Sequence, residues 1–101
     1  MSQRKRWRGV VLEIVYDGHQ KQESRLDDLV LWGMMRDLGH DVGQSEVLTL
    51  LQYLQAAKYL TFKQDRDKIT NVVRISQIEI TPEGCALVEK ERTDPMVHVL
   101  L

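Results

Sequence analysis

The chain holds one cysteine, Cys85, and two prolines, Pro82 and Pro95, in 101 residues. A lone cysteine makes no intrachain disulfide, which fits a reducing compartment, and it has no matching cysteine for a thiolate zinc site. No repeat, low-complexity block or Pro/Gly-rich linker divides the chain, so its length predicts one domain around one core. No apolar run approaches the ~20 residues of a membrane span. Val10-Val11-Leu12 meets Glu13 at once, too short for the apolar region of a signal peptide. The expected protein is cytoplasmic, with no membrane partner. Charge of one sign is missing too: 14 Lys and Arg stand against 15 Asp and Glu, a net of -1. Bulk charge therefore gives no argument for nucleic acid, and any such argument must rest on local charge.

What is present is ordinary in amount and uneven in place. Hydrophobic residues make up 43% and charged residues 29%, a globular balance. Arg4, Lys5, Arg6 and Arg8 put four bases into the first eight residues with no acid among them. Residues 9–39 carry three bases (Lys21, Arg25, Arg36) against six acids (Glu13, Asp17, Glu23, Asp27, Asp28, Asp37), a net of -3. A basic N-terminal arm, residues 1–8, thus precedes a mildly acidic domain over 9–92, and an apolar tail follows at 93–101.

The spacing of apolar residues predicts the elements. Trp7, Val10, Val11, Ile14 and Val15 recur as the stripe of an amphipathic helix over about 7–16, stopped by Asp17-Gly18. A second helix is expected over about 24–38. Ser24 would be its N-cap, Asp27 and Asp28 would lie at the positive end of its dipole, and Gly39 would cap its C-terminus. Its stripe is Leu29, Leu31, Trp32, Met35 and Leu38. A third helix runs over about 45–57, with Val47, Leu50, Leu51, Leu54 and Ala57 inward and Ser45, Thr49, Gln52 and Ala56 outward. Two helices joined by a short Gly-containing turn form a helix-turn-helix arrangement. The period then changes to that of strands: Leu60 to Lys63, a polar turn Asp65-Arg66-Asp67-Lys68, and a return over Val72 to Ile80. Val73 and Ile75 share one parity and Ile78 and Ile80 the other, so a bulge near Ser76-Gln77 is expected. Thr81-Pro82 opens a short last helix, with Leu87 and Val88 facing inward. Three helices need a hairpin to close their core. The predicted fold is α+β, mostly helical: a winged helix with a three-helix core, a β-hairpin wing of two or three strands and a short C-terminal helix.

Two stretches carry a family resemblance. Ser45-Glu46-Val47-Leu48-Thr49-Leu50-Leu51-Gln52-Tyr53-Leu54-Gln55-Ala56-Ala57-Lys58-Tyr59-Leu60 resembles the recognition helix and first strand of MarR-like and PadR-like bacterial regulators. Ile80-Thr81-Pro82-Glu83-Gly84-Cys85-Ala86-Leu87-Val88-Glu89 resembles the segment that leaves their wing and enters the next helix. From about Trp7 to Leu100 the chain is also similar to small winged-helix proteins of Mu-like phages and prophages, in length, segment order and apolar tail. Two departures stand out. Lys58 occupies the place where the family has glycine at a left-handed turn, so either the turn differs or Lys58 bears a strain of roughly 1 kcal/mol. The outward face of the third helix also lacks the Arg or Lys that such regulators present to DNA.

The resemblance implies double-stranded DNA as the partner. Gln44, Ser45, Thr49, Gln52 and Tyr53 would face the major groove, where Gln pairs with adenine and Ser or Thr with bases or phosphates; the alternative is a solvated polar face. At the wing, Arg66 and Lys68 would meet the backbone, though Asp65 and Asp67 interleave with them, and a solvated turn is the rival reading. Arg4, Lys5, Arg6 and Arg8 of the arm are phosphate candidates through counterion release, or else a tail that aids solubility. Trp7 and Trp32 read as packing residues, and Cys85 as a small buried hydrophobe. His19, His40 and His98 have no partner at metal-ligand spacing, and no catalytic motif stands out. The expectation is a DNA-binding regulator of transcription or phage development that is not an enzyme and needs no cofactor or metal. The rival is a winged-helix module that binds protein and not DNA. The tail over Met96 to Leu101 is expected either to fold back on the first helix or to join it in a homodimer contact.

Overall fold

The computed structural model describes residues 3–21 and 26–100. It is an α+β fold, about half helical, with the order α1 (Gln3–Gln20), α2 (Asp28–Asp37), α3 (Gln44–Ala56), β1 (Leu60–Arg66), β2 (Val73–Ile80) and α4 (Pro82–Val88). The strands form one antiparallel hairpin, and no described helix is long and apolar enough to cross a membrane. The first strand is longer than the four residues that visibly alternate, Leu60 to Lys63, and runs on to Arg66.

Helix α1 begins four residues before the expected start, so the basic stretch is its first two turns and not a separate arm. Arg and Lys are good helix formers, and Trp7 beside them is buried, which fixes that end. Nor does Asp17-Gly18 stop the helix. Its apolar stripe is held along most of its length, and Lys21 closes an ion pair with Asp17 at 3.0 Å one turn on. The predicted stripe Trp7, Val10, Val11, Ile14 and Val15 is buried throughout.

In α2 the N-cap is Asp27, whose side chain accepts a hydrogen bond from the Val30 N–H. Ser24, the expected cap, lies outside the described residues. Only Leu31 and Met35 of the predicted stripe are buried; Trp32 is half-buried, and Leu29 and Leu38 face outward. A helix this short packs along a narrower seam than its apolar content implies. Its end is as expected: Gly39 has φ 90°, and the N–H groups of Gly39 and His40 bond to the carbonyls of Arg36 and Met35. The same paired bonds close α3 through Lys58 and Tyr59, and α4 through Lys90 and Glu91. Lys58 has φ 70°, so it carries the left-handed strain itself.

The hairpin pairs Leu60 with Ile80 and Arg66 with Val73, and its register shifts between Thr61 and Lys63. The extra residue falls on β2, where Gln77 has φ 53°, close to the expected bulge. This bulge brings Ile75, Ile78 and Ile80 all into the core. Asp65 and Arg66 belong to β1, so the turn lies further out, over residues 67–72. At its base the hairpin is tied to α2. The Ile78 N–H bonds to the Leu26 carbonyl at 3.1 Å. Arg74 Nε meets the fully buried Asp28 Oδ1 at 3.1 Å.

Thr81 caps α4, accepting from the Gly84 N–H at 3.1 Å. A Cβ on Gly84 would stand 2.4 Å from the Tyr59 carbonyl oxygen, so glycine is required there by close approach. The tail then turns back across α1. Val97 is buried, the His98 N–H bonds to the Lys5 carbonyl, and the Leu100 N–H to Glu13 Oε1. A Cβ on Gly9 would stand 1.6 Å from the His98 carbonyl oxygen, so this crossing exists only because residue 9 is glycine. The tail therefore folds back on the first helix, burying Val97 while Met96 and Leu100 stay exposed. Tyr59 anchors the tail's start by donating to Asp94 Oδ2 at 2.6 Å. Burial, with that bond, pushes the Tyr59 hydroxyl up to about 12, and the same bond holds the Asp94 carboxyl below its ordinary range.

Candidate nucleic-acid interface

The orientation of α3 is set at its N-terminus. Buried Val42 anchors the connection from α2, and its carbonyl accepts from Trp32 Nε1 at 2.7 Å. The Glu46 carboxylate accepts from the Gly43 N–H at 3.3 Å, one half of a capping box. With Val47, Leu50, Leu51 and Leu54 buried, α3 must present Gln44, Ser45, Thr49 and Gln52 to solvent, as the periodicity predicted.

These residues are not equally available. Gln44 and Ser45 stand exposed on the first turn. Thr49 donates its hydroxyl back to the Ser45 carbonyl at 3.2 Å, leaving the oxygen as an acceptor. Gln52 Nε2 donates to Gln64 Oε1 of β1 at 3.4 Å, so the hairpin meets the helix at that point. Tyr53 is half-buried, and the Arg8 guanidinium covers its ring at 3.8 Å from the centroid. Tyr53 is thereby drawn toward α1 and away from the open face.

Between α1 and α3 lies a cleft of about 100 Å³, lined by Arg4, Trp7 and Arg8 on one side and by Glu46, Thr49, Leu50 and Tyr53 on the other. Arg4 and Arg8 reach it together because residues four apart share a helix face. Lys5 and Arg6, the other bases singled out with Arg4, are not among its lining residues: at about 100° per residue they point elsewhere. Both are half-buried on α1. Arg8, the fourth base of the expected phosphate set, also donates from Nη1 to the Met96 carbonyl at 3.1 Å.

At the far end of the hairpin, Arg66 Nη1 donates to Asn71 Oδ1 at 3.1 Å and Lys68 stands exposed on the turn. Asp67 accepts from the N–H groups of Ile69 (2.7 Å) and Thr70 (3.1 Å), which holds its carboxyl below the usual range. Asp67 is thus tied into the turn while still charged, and both it and Asp65 are exposed acids. Ile69 was not singled out from the sequence, yet it is 94% exposed. No protein-family model matches the chain, and no curated protein matches it.

Proposed function

We propose that the chain is a winged-helix protein that binds double-stranded DNA, in the regulation of transcription or of phage development. On this reading α3 enters the major groove and the hairpin is the wing that holds the backbone. One observation carries the proposal. The open face of α3 is made of uncharged hydrogen-bonding side chains, Gln44, Ser45, Thr49 and Gln52, with Arg4 along its α1 edge and Arg66 and Lys68 on the hairpin that joins it at Gln52. Neutral donors and acceptors read bases while flanking cations hold phosphates. The order of elements and the two stretches similar to MarR-like and PadR-like regulators support the same fold.

The test is fluorescence anisotropy on random-sequence duplex at about 50 and about 200 mM salt. Binding that weakens steeply with salt, and whose salt slope shrinks in R4A, is the expected outcome. Absence of binding at the lower salt and high protein concentration would reject the reading. It would favour a second one, a protein-interaction module. That reading is supported by the outward apolar side of α2, where Leu29, Val30, Met34 and Leu38 are exposed.

A further inference from the structure

The geometry points to Ile69 as an apolar wedge, presented by the hairpin turn to the DNA minor groove and inserted between base pairs there. This rests on the DNA-binding reading and adds to it a mode of contact and a preference in the DNA.

The first support is the degree of display. Ile69 is the most exposed large hydrophobic residue described, at 94%, and Val72 at the end of the same turn is 48% exposed. The exposed apolar residues of α2 are no more than 62% exposed, because each still leans on its own helix.

The second is rigidity. A loose loop would lose its freedom on binding, whereas this turn is already ordered from within. The Asp67 N–H bonds to the Val72 carbonyl at 2.9 Å, and the Asn71 N–H returns to the Asp67 carbonyl at 2.8 Å. Asn71 takes φ 61°, a conformation that asparagine tolerates better than most residues. The Asp67 carboxylate grips the Ile69 and Thr70 N–H groups, and Arg66 holds Asn71 from the side. Below the turn, the ladder from Arg66–Val73 down to Leu60–Ile80 and the Arg74–Asp28 ion pair fasten the hairpin to α2. The isoleucine thus sits at the end of a braced lever.

The third is its company. Lys68 precedes Ile69, and Thr70 and Asn71 follow it, all exposed. A cation and two hydrogen-bonding side chains suit the phosphate walls and the acceptor-rich floor of an A·T minor groove. Apolar wedges of this size open a base step and kink the duplex away from themselves. Pyrimidine–purine steps such as TA are the easiest to open, so the wedge predicts a TA preference at a position where no base edge is read.

The test uses the full chain and a duplex of about 20 base pairs with 2-aminopurine at a TA step, end-labelled for energy transfer. Wild type should raise the 2-aminopurine fluorescence and shorten the end-to-end distance. I69S should lose the fluorescence rise and bind about 10-fold more weakly, while I69L keeps both properties. Both variants should melt with wild type, because the side chain touches no core. Wild-type affinity and fluorescence response in I69S would overturn the wedge, as would a duplex that wild type binds without any unstacking. If wild type binds no duplex at low salt, the DNA reading itself fails and the wedge fails with it. The two failures are thus told apart by binding of the wild type alone.

Discussion

Two stretches concentrate basic residues, residues 4–8 of α1 and residues 63–68 of the hairpin, and the fold uses them differently. In α1, Arg8 stacks on Tyr53 and bonds to the Met96 carbonyl, the Lys5 backbone holds the tail, and of the four phosphate candidates only Arg4 and Arg8 line the cleft beside α3. In the hairpin, Lys63, Arg66 and Lys68 are exposed, with Arg66 also bonded to Asn71 across the turn, and the buried carboxylate of Asp28 is met by Arg74 on the returning strand. Similar charges near one another in sequence thus serve as internal ties in one place and as accessible cations in the other. A cluster of bases says where charge is dense. The helical phase and the nearest carbonyl, ring or carboxylate decide what each base does.

The largest effect that would sharpen this contrast comes from Arg74. Its partner Asp28 is fully buried while Arg74 is 44% exposed, so removing Arg74 leaves the Asp28 Oδ1 with the Leu29 N–H alone. R74A should lower stability by about 2–3 kcal/mol in urea unfolding, and adding D28N should restore part of that loss. If R74A is as stable as wild type, the hairpin is not braced through this pair.

Next in size is a direct comparison of the two stretches. R8A should cost roughly 1–2 kcal/mol, since it loses the Tyr53 stack and the Met96 hydrogen bond together. K68A should leave stability within about 0.5 kcal/mol and reduce the salt slope of DNA binding by about 1. The opposite pattern in unfolding and anisotropy would break the comparison.

The smallest effect concerns the strap that starts the tail on its way back to α1. The Tyr59 hydroxyl titrates higher in the fold, about 12, than in the unfolded chain. Its contribution is therefore fully present below the ordinary tyrosine range and is lost as pH rises through about 12. Y59F should cost about 1 kcal/mol near neutrality. Melting followed across that alkaline range should show wild type converging on Y59F. Asp94, held low, works in the other sense: its contribution is present above the ordinary carboxylate range and is lost as acid titrates it.

Much of this fold is legible along the chain. Helix faces, the Gly39 terminus, the Thr81 cap and the β2 bulge follow from local periodicity and local hydrogen bonding, which act over a few residues. The outward residues of α3 were likewise legible, because an amphipathic helix has little choice of which side to bury. Less legible were the true start of α1, where helix-forming bases continue the turn, and the narrow buried seam of α2. The tying down of Arg8 was not legible, because its ring partner, Tyr53, lies on another helix.

The sequence by itself determined the order of elements, the buried faces of α1 and α3 and the helix ends at Gly39 and Thr81, since those energies are set by neighbours within one or two turns. Only the tertiary structure decided which of those surfaces remain open. The crossing of the tail over Gly9, the pairing of Arg74 with Asp28 and the capture of Arg8 by Tyr53 all depend on groups far apart in the chain. Such contacts form only after the core has fixed the distance between elements, so no local pattern records them.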